Sequence, residues 1–227
     1  MTIELKHAVP WGRSCAEYVQ MFALTPQDLQ RRILDCAGGP ASFNAEMTQN
    51  GHHIVSCDPL YHFSATEIAQ RIQETYLIVI EGVRETRDQF VWTSITSPEQ
   101  LGEIRMTAMN RFLADLPSGV AAARYVTDAL PSLSFDSDAF DLALCSHFLF
   151  CYSDLGEDFH QASVLELCRV AKEVRIFPLL MNFSHQTSPW LNPVVNHLHN
   201  QGYITEIIQV SYEFQKGGNQ LLRIYKQ

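Results

Sequence analysis

The segment Arg32-Ile33-Leu34-Asp35-Cys36-Ala37-Gly38-Gly39-Pro40-Ala41-Ser42-Phe43 constrains this chain more than any other. An apolar strand ends in an acid, and a turn of small residues follows that opens a helix. With no β-carbon at Gly38 or Gly39, another molecule can lie directly against the backbone. The acid at the strand's end can accept hydrogen bonds from an amine or a ribose. A helix over about 42–50 then ends at Gly51, a residue suited to the left-handed conformation past a helix C-terminus. The next strand, His53-Ile54-Val55-Ser56-Cys57, runs into Asp58. Strand, glycine turn, helix, strand and second acid together describe a nucleoside-binding βαβ unit.

Composition removes several alternatives. With 227 residues and 46% hydrophobic content, the chain can bury one substantial core, and a single domain over 1–227 is expected. A formal net charge of −9 argues against extended phosphate-backbone binding, so a nucleic-acid partner is not expected. The six cysteines form no Cys-x-x-Cys pair, and Cys36, Cys57 and Cys145 fall within apolar strands. They read as reduced core residues of a cytoplasmic protein. The first ten residues lack the apolar stretch of a signal peptide, and no apolar run reaches membrane-spanning length. Histidines are numerous, but His52 and His53 are adjacent and His197-x-His199 has the wrong spacing for one helix face. No Cys/His set has zinc spacing, and no metal is expected.

The remaining elements follow from local patterns. Ser14-x-x-Glu17 is a capping box ahead of a short amphipathic helix through Phe22, and Thr25-Pro26 predicts another helical start. Residues 62–120 are expected to be a mainly helical insertion over the ligand face, acting as lid or substrate platform. Within it, Ser64-x-x-Glu67 caps a helix carrying Ile68, Ile72 and Tyr76, and Ser97-Pro98-Glu99 opens another with Leu101, Ile104, Ala108 and Phe112 at helical spacing. The stretch 76–96 carries apolar runs assigned to neither helix nor strand. Strands are then expected over 123–127, 140–148 and 173–181. A helix over about 157–171 is expected to present Phe159, Ala162, Leu165 and Cys168, and a helix capped by Ser188-Pro189 to end near Gly202. Two last runs, 204–214 and 220–225, predict an antiparallel hairpin through Lys216-Gly217-Gly218-Asn219.

Two adjacent glycines are not the spaced trio of a dinucleotide-binding turn, and a dinucleotide fold ends in a parallel strand rather than a hairpin. The 32–43 segment resembles motif I of the class I S-adenosylmethionine-dependent methyltransferases, and the terminal hairpin resembles that family's closing pair. The resemblance covers nearly the whole chain apart from the insertion. It implies a three-layer αβα sandwich around a seven-stranded, mostly parallel sheet of order 3-2-1-4-5-7-6 with strand 7 antiparallel. One departure stands out: Ala37 occupies the place where the family's first glycine usually sits.

The resemblance also implies site residues. Asp35 with Ala37, Gly38 and Gly39 would hold the amino-acid end of S-adenosylmethionine. Asp58 would hold the ribose hydroxyls, with Pro59 and Leu60, or Tyr61 and His62, about the adenine. Asp128-Ala129-Leu130-Pro131 followed by Phe135-Asp136 and Phe140-Asp141 is similar to the family's Asp-Ala-x-x-Leu-Pro … Phe-Asp block. By that likeness Asp128 and the Ala129 backbone would meet the adenine edge. Arg13 or Tyr18, ahead of the first strand, would reach the cofactor carboxylate. Cys145-Ser146-His147-Phe148 resembles motif IV, which puts Ser146 and His147 beside the reactive methyl group. His147 is the candidate base, with Tyr152 in reserve, although a packed, hydrogen-bonded histidine fits the same stretch. Arg105, Arg111, Asn182 and His185 would border the open side of the pocket, or be structural.

The expected activity is methyl transfer to a small molecule, with a protein side chain as the other acceptor, leaving S-adenosylhomocysteine. A protein that binds the cofactor without turnover, a partner-docking protein on the same fold and a nucleotide-dependent oxidoreductase are the competing readings. Monomer and homodimer both remain open.

Overall fold

A computed structural model describes residues 9–182 and 184–226. The leading residues of the chain, on which the reading of its first ten residues largely falls, lie outside the described residues. Strands β1 (Ile33–Cys36), β2 (Ile54–Cys57), β3 (Tyr125–Val126), β4 (Leu142–Ser146), β5 (Glu173–Phe177), β6 (Tyr203–Gln209) and β7 (Gln220–Lys226) form one sheet. Its order is β3-β2-β1-β4-β5-β7-β6. The pairings among β1 to β5 are parallel, and β7 runs antiparallel to both β5 and β6. This is the expected sheet, with the expected reversed strand: the class I methyltransferase fold.

The alternation of side chains on the central strands explains the layers. On β1, Leu34 and Cys36 join the cluster beneath α5 (Glu157–Val170) and α6 (Leu191–Asn200), with Val164, Leu167, Val194 and Leu198. Ile33 faces the other way, into a cluster with Tyr18 and Met21 from α1 (Cys15–Met21), Phe22 just after it, and Phe43 and Met47 from α2 (Phe43–Gln49). Cys36 pairs in register with Cys57 on one side and Cys145 on the other, and all three thiols are free and buried.

The segment 62–120 is helical, as expected. It forms α3 (Ala65–Glu85) and α4 (Pro98–Ala121), packed on each other. Helix α3 takes up the first part of the stretch 76–96, to Glu85, because Val79, Ile80 and Val83 extend the buried face of Ile68 and Ile72. Its Ser64 cap is reciprocal: Ser64 Oγ accepts from the Glu67 N–H, and the Glu67 carboxylate accepts from the Ser64 N–H at 2.8 Å. Met109, Phe112 and Leu116 of α4 join Tyr61, Ile68, Ile72 and Tyr125 in a further cluster.

Several boundaries differ from expectation for identifiable reasons. The Thr25-Pro26 start yields only a 3₁₀ turn over Asp28–Gln30, because Asp28 is drawn into a buried pair with Arg175 at 3.1 Å. Strand β3 has two residues rather than five. Strand β4 stops at Ser146, where His147 adopts φ +52°. Strand β5 stops at Phe177, since Pro178 has no N–H to give the ladder. Helix α5 buries His160, Ser163, Val164, Leu167 and Cys168 instead of the face through Ala162, which is exposed. Ser188 does not open α6: its N–H donates to Leu179 O at 3.0 Å, and α6 begins after Trp190. Strand β6 ends at Gln209, so residues 210–219 make a broad connection instead of a tight glycine turn. No helix among the described residues is long and apolar enough to cross a membrane.

Candidate active site

A cavity of about 680 Å³ opens at the carboxyl ends of β1, β2 and β4, within the range of about 300–1,000 Å³ usual for ligand sites. Its floor is the turn after β1. Ala37 (φ +56°) and Gly39 (φ +53°) are left-handed there, and the Ala37 N–H donates to Cys57 O at 2.8 Å. Alanine thus occupies a conformation that glycine adopts without cost. A β-carbon on Gly38 would come within 2.3 Å of Asp35 Oδ2 and 2.9 Å of the Tyr61 hydroxyl, whereas one on Gly39 would meet nothing within 4 Å and stand in the cavity.

The two strand-end acids have different environments. Asp35 is 1% exposed and lies beneath the turn, outside the lining residues; it accepts from the Tyr18 hydroxyl at 3.0 Å and from Ser56 Oγ at 3.0 Å. Burial raises its carboxyl to about 7, against the opposing hydrogen bonds from Ser56 and Tyr18. Asp58 does line the cavity. It accepts from the Leu60 N–H at 2.8 Å and the Gly39 N–H at 3.0 Å, which clamps the glycine turn to β2. Burial raises it too, with those two N–H groups opposing. Each carboxylate oxygen retains acceptor capacity toward the cavity.

Arg13, Tyr18, Ser146 and His147 all line the same cavity with Ala37, Gly38, Gly39, Asp58 and Leu60. Ser146 Oγ and His147 Nδ1 are 2.9 Å apart, and the His147 N–H donates to Phe177 O at 2.7 Å. Burial holds the His147 imidazole well below its ordinary pKa, and the Arg13 and Arg105 charges add to the effect. Burial and these charges favour the neutral ring. Arg13 Nη1 donates to Trp11 O at 3.4 Å, and its Nε is buried without a partner among the described residues. Burial and the neighbouring Arg105 charge lower its pKa.

Other expected residues sit elsewhere. Tyr61 is buried under the turn, donating to Gly39 O at 2.9 Å and packed on Phe112 and Tyr125, so it does not lie over a ligand. Pro59, His62 and Ala129 are exposed and Asp128 is half-buried, and all four are outside the lining. The Asp128 carboxylate is engaged by Ser134, whose N–H and Oγ donate to it at 2.7 and 2.6 Å. Arg111 pairs with Glu46 at 2.7 Å, away from this cavity, and His185 is exposed. Asn182 and Tyr152 do line it.

The wall opposite the turn includes Arg105, which the sequence reading offers as a pocket-bordering or structural residue, and partners that no local pattern connects to it. Arg105 of α4 is 1% exposed and meets Glu17 Oε1 and Oε2 at 2.6 Å, with Tyr212 donating to Glu17 Oε1 at 3.1 Å. Burial alone would raise Glu17; the Arg105 charge and hydrogen bond outweigh it and hold the carboxyl at about 2. Above this trio stand Trp11, Val79, Val83, Phe90, Leu101 and Phe214, from the N-terminal segment, the insertion and the 210–219 connection. Phe90 and Phe214 stack with centroids 4.8 Å apart. Besides Arg105, the sequence signal is the aromatic character of 90–92, in the stretch assigned to neither helix nor strand, and of 212–214, expected in the hairpin strand but lying beyond β6.

No protein-family model matches the chain. It is 32% identical over 224 residues to the uncharacterized protein MJ0045 of Methanocaldococcus jannaschii, with 98% of each chain covered. The chain belongs to the family of that archaeal protein. Among solved structures, the magnesium protoporphyrin IX methyltransferase of Synechocystis PCC 6803 overlays with a TM-score of 0.49 at 12% identity, covering 94% of this chain and 78% of that one. A putative S-adenosylmethionine-dependent methyltransferase of Methanococcus maripaludis gives 0.49 at 12%, covering 94% and 83%. For this member of the MJ0045 family, the strand order itself, rather than those overlays, carries the fold.

Proposed function

We propose that this MJ0045-family protein binds S-adenosylmethionine in the cavity and transfers its methyl group to a small molecule. The observation that carries this reading is the convergence of the Gly38-Gly39 turn, Asp58 and the unpartnered Arg13 Nε on one cavity at the carboxyl end of a sheet in methyltransferase order. The residues present fit the cofactor. Gly39 leaves open the space that a β-carbon would fill, Asp58 faces it with acceptor capacity for ribose hydroxyls, and Arg13 offers a buried N–H to a carboxylate. Ala37, Gly38, Gly39, Asp58 and Leu60 hold the nucleoside side, and Tyr18, Ser146 and Arg13 the amino-acid side. Asp35 supports the turn from below through Tyr18 and Ser56 rather than by contact.

The bound cofactor supplies an already activated sulfonium methyl group, so the protein's work is mainly alignment and exclusion of water. Held by Gly38, Gly39, Asp58 and Arg13, S-adenosylmethionine would supply that methyl carbon to the acceptor's lone pair, with sulfur keeping the electron pair of the bond broken. Alignment of this sort contributes roughly 7–11 kcal/mol in well-oriented cases. His147, neutral and held by Ser146, takes a proton from an acceptor that must lose one. Enclosure of the cavity by α3, α4 and the 210–219 connection favours a small molecule over a macromolecule.

The test is S-adenosylhomocysteine formation from S-adenosylmethionine, with and without fractions of low-molecular-weight metabolites. Product above the acceptor-free rate in any fraction supports a methyltransferase. Cofactor binding without product in every fraction supports the non-catalytic binding protein instead.

A further inference from the structure

We infer that Asp35 is a positioning residue for the candidate base: through Tyr18 and Ser146 it fixes the His147 tautomer that carries its proton on Nδ1 and leaves Nε2 free to accept one. This deepens the reading above and rests on it only for the use to which His147 is put.

A guanidinium can only donate, and Arg124 Nη1 meets Asn44 Oδ1 at 2.7 Å. That contact fixes the Asn44 amide, whose Nδ2 donates to Arg124 O at 3.0 Å and to Ser56 Oγ at 3.1 Å. Ser56 therefore accepts from Asn44 and gives its own proton to Asp35 Oδ2, 3.0 Å away. The Tyr18 hydroxyl donates to the other oxygen, Asp35 Oδ1, at 3.0 Å. Asn44, Ser56, Asp35 and Tyr18 are each at most 1% exposed, so bulk water offers them no competing partners. Asp35 is thus held as an acceptor on both oxygens, and one of its two donors leads back toward the cavity.

The direction of the remaining protons follows, because a hydroxyl has one proton to give. Tyr18 gives its proton to Asp35, so its oxygen accepts, and Ser146 is the donor. Burial raises the Tyr18 phenol well above its ordinary value and the Asp35 charge and hydrogen bond add to this, while Arg13 and the hydrogen bond from Ser146 oppose it. With its proton turned to Tyr18, Ser146 Oγ accepts from His147 Nδ1 at 2.9 Å. Nδ1 is thereby the protonated nitrogen, and Nε2, which has no partner among the described residues, keeps its lone pair. The opposite polarity would have Ser146 donate to Nδ1 and would leave the buried Tyr18 oxygen without a donor. Each group polarises the next, so the acid at one end biases the imidazole at the other.

The test is long-range proton–nitrogen correlation NMR of the full chain, labelled with nitrogen-15 histidine, with His147→Asn identifying the His147 signals. Spectra are taken at pH 8, above the value of about 7 to which burial raises the Asp35 carboxyl. Wild type is expected to favour the Nδ1–H tautomer about tenfold or more, the weight of one hydrogen bond. Asp35→Asn, which keeps the shape of the side chain, is expected to invert that preference. Ser56 still needs an acceptor, so the amide turns its oxygen to Ser56 and its NH₂ to Tyr18. The Tyr18 and Ser146 protons then both turn round, and Nδ1 becomes the acceptor. Tyr18→Phe is expected to move the ring the same way, because Ser146 loses its acceptor and turns its proton to Nδ1; this variant decides where Asp35→Asn fails to fold. An Nε2–H ring or an even mixture in wild type overturns the inference, as does an unchanged tautomer in either folded variant, the result that a merely structural Asp35 would give. S-adenosylhomocysteine titrated into the same sample separates the two readings. Binding with an Nε2–H ring overturns the role of Asp35 alone, and an Nδ1–H ring without binding upholds that role while the cofactor reading fails.

Discussion

Arg105 and Glu17 form a buried ion pair, 2.6 Å from Nη1 to each carboxylate oxygen, that ties the inserted helix α4 to the capping box of α1. Glu17 does three jobs at once. Its carboxylate accepts from the Ser14 N–H at 2.9 Å, from Arg105 and from Tyr212. The segment between β2 and β3 is thereby fastened to the front of the sheet by a contact that no local pattern announces.

Breaking that pair from one side leaves a charge buried without its partner. Arg105→Met is expected to destabilise the protein by about 3–5 kcal/mol, and Glu17→Leu with Arg105→Met together to recover a large part of the loss. Urea unfolding followed by circular dichroism measures both. A single variant within 1 kcal/mol of wild type would show the pair to be unimportant.

The two glycines of the turn should respond differently to alanine. Gly38→Ala forces a β-carbon against Asp35 Oδ2 and the Tyr61 hydroxyl and is expected to cost about 1–3 kcal/mol of stability. Gly39→Ala meets no protein atom and carries only left-handed strain of about 1–2 kcal/mol, but it narrows the cavity where the nucleoside lies. Its larger effect is expected on cofactor affinity, and calorimetry set beside thermal unfolding separates the two. Equal loss of affinity in variants of equal stability would contradict this.

Asp35 gives a pH signature of defined sign. Its folded pKa, about 7, lies above the ordinary value near 3.9, so the folded state holds the proton more tightly than the unfolded chain. The contribution is complete below about pH 4 and is lost as pH rises through 7. Asp35→Asn has no such proton to lose. Its stability relative to wild type is therefore expected to improve between pH 4 and pH 8, by an amount on the order of a few kcal/mol. A difference that is flat over that range, read from denaturation at several pH values, would contradict the raised carboxyl.

His147 is the residue placed to take a proton. His147→Asn keeps a side chain that tolerates the left-handed backbone at φ +52° and removes the imidazole. Turnover is expected to fall by about 10²–10⁴ with cofactor affinity unchanged. Unaltered turnover would leave His147 as a packing residue. Because burial holds the imidazole well below its ordinary pKa, the acid limb of the wild-type rate profile is expected at lower pH than a free histidine would give.

How much of this was legible depended on the range of the interaction. The turn and both strand-end acids followed from short patterns, because a strand ending in an acid before glycines has few physical uses, whereas the sheet order came from the family resemblance alone. The helix through Val79 and Ile80 was obscured by Leu77-Ile78-Val79-Ile80, a run rich in β-branched residues that suits a buried strand equally well. Leu77 and Ile78 are in fact exposed, at 67% and 58%, and only the packing of α3 on α4 selects the helix. The ends of β4 and β5 shifted for local reasons, at His147 and Pro178. The Arg105–Glu17 pair and the Phe90–Phe214 stack join residues far apart in sequence, so their pairing, though not Arg105 itself, came from the structure alone.

The central claim is that the Gly38-Gly39 turn and Asp58 form an S-adenosylmethionine site. Calorimetric titration of S-adenosylhomocysteine into wild type and Asp58→Ala, with NAD as control, tests it most directly. The account predicts micromolar binding to wild type, loss of at least about tenfold in Asp58→Ala and no response to NAD. No binding to wild type, or equal binding to the variant, would contradict it.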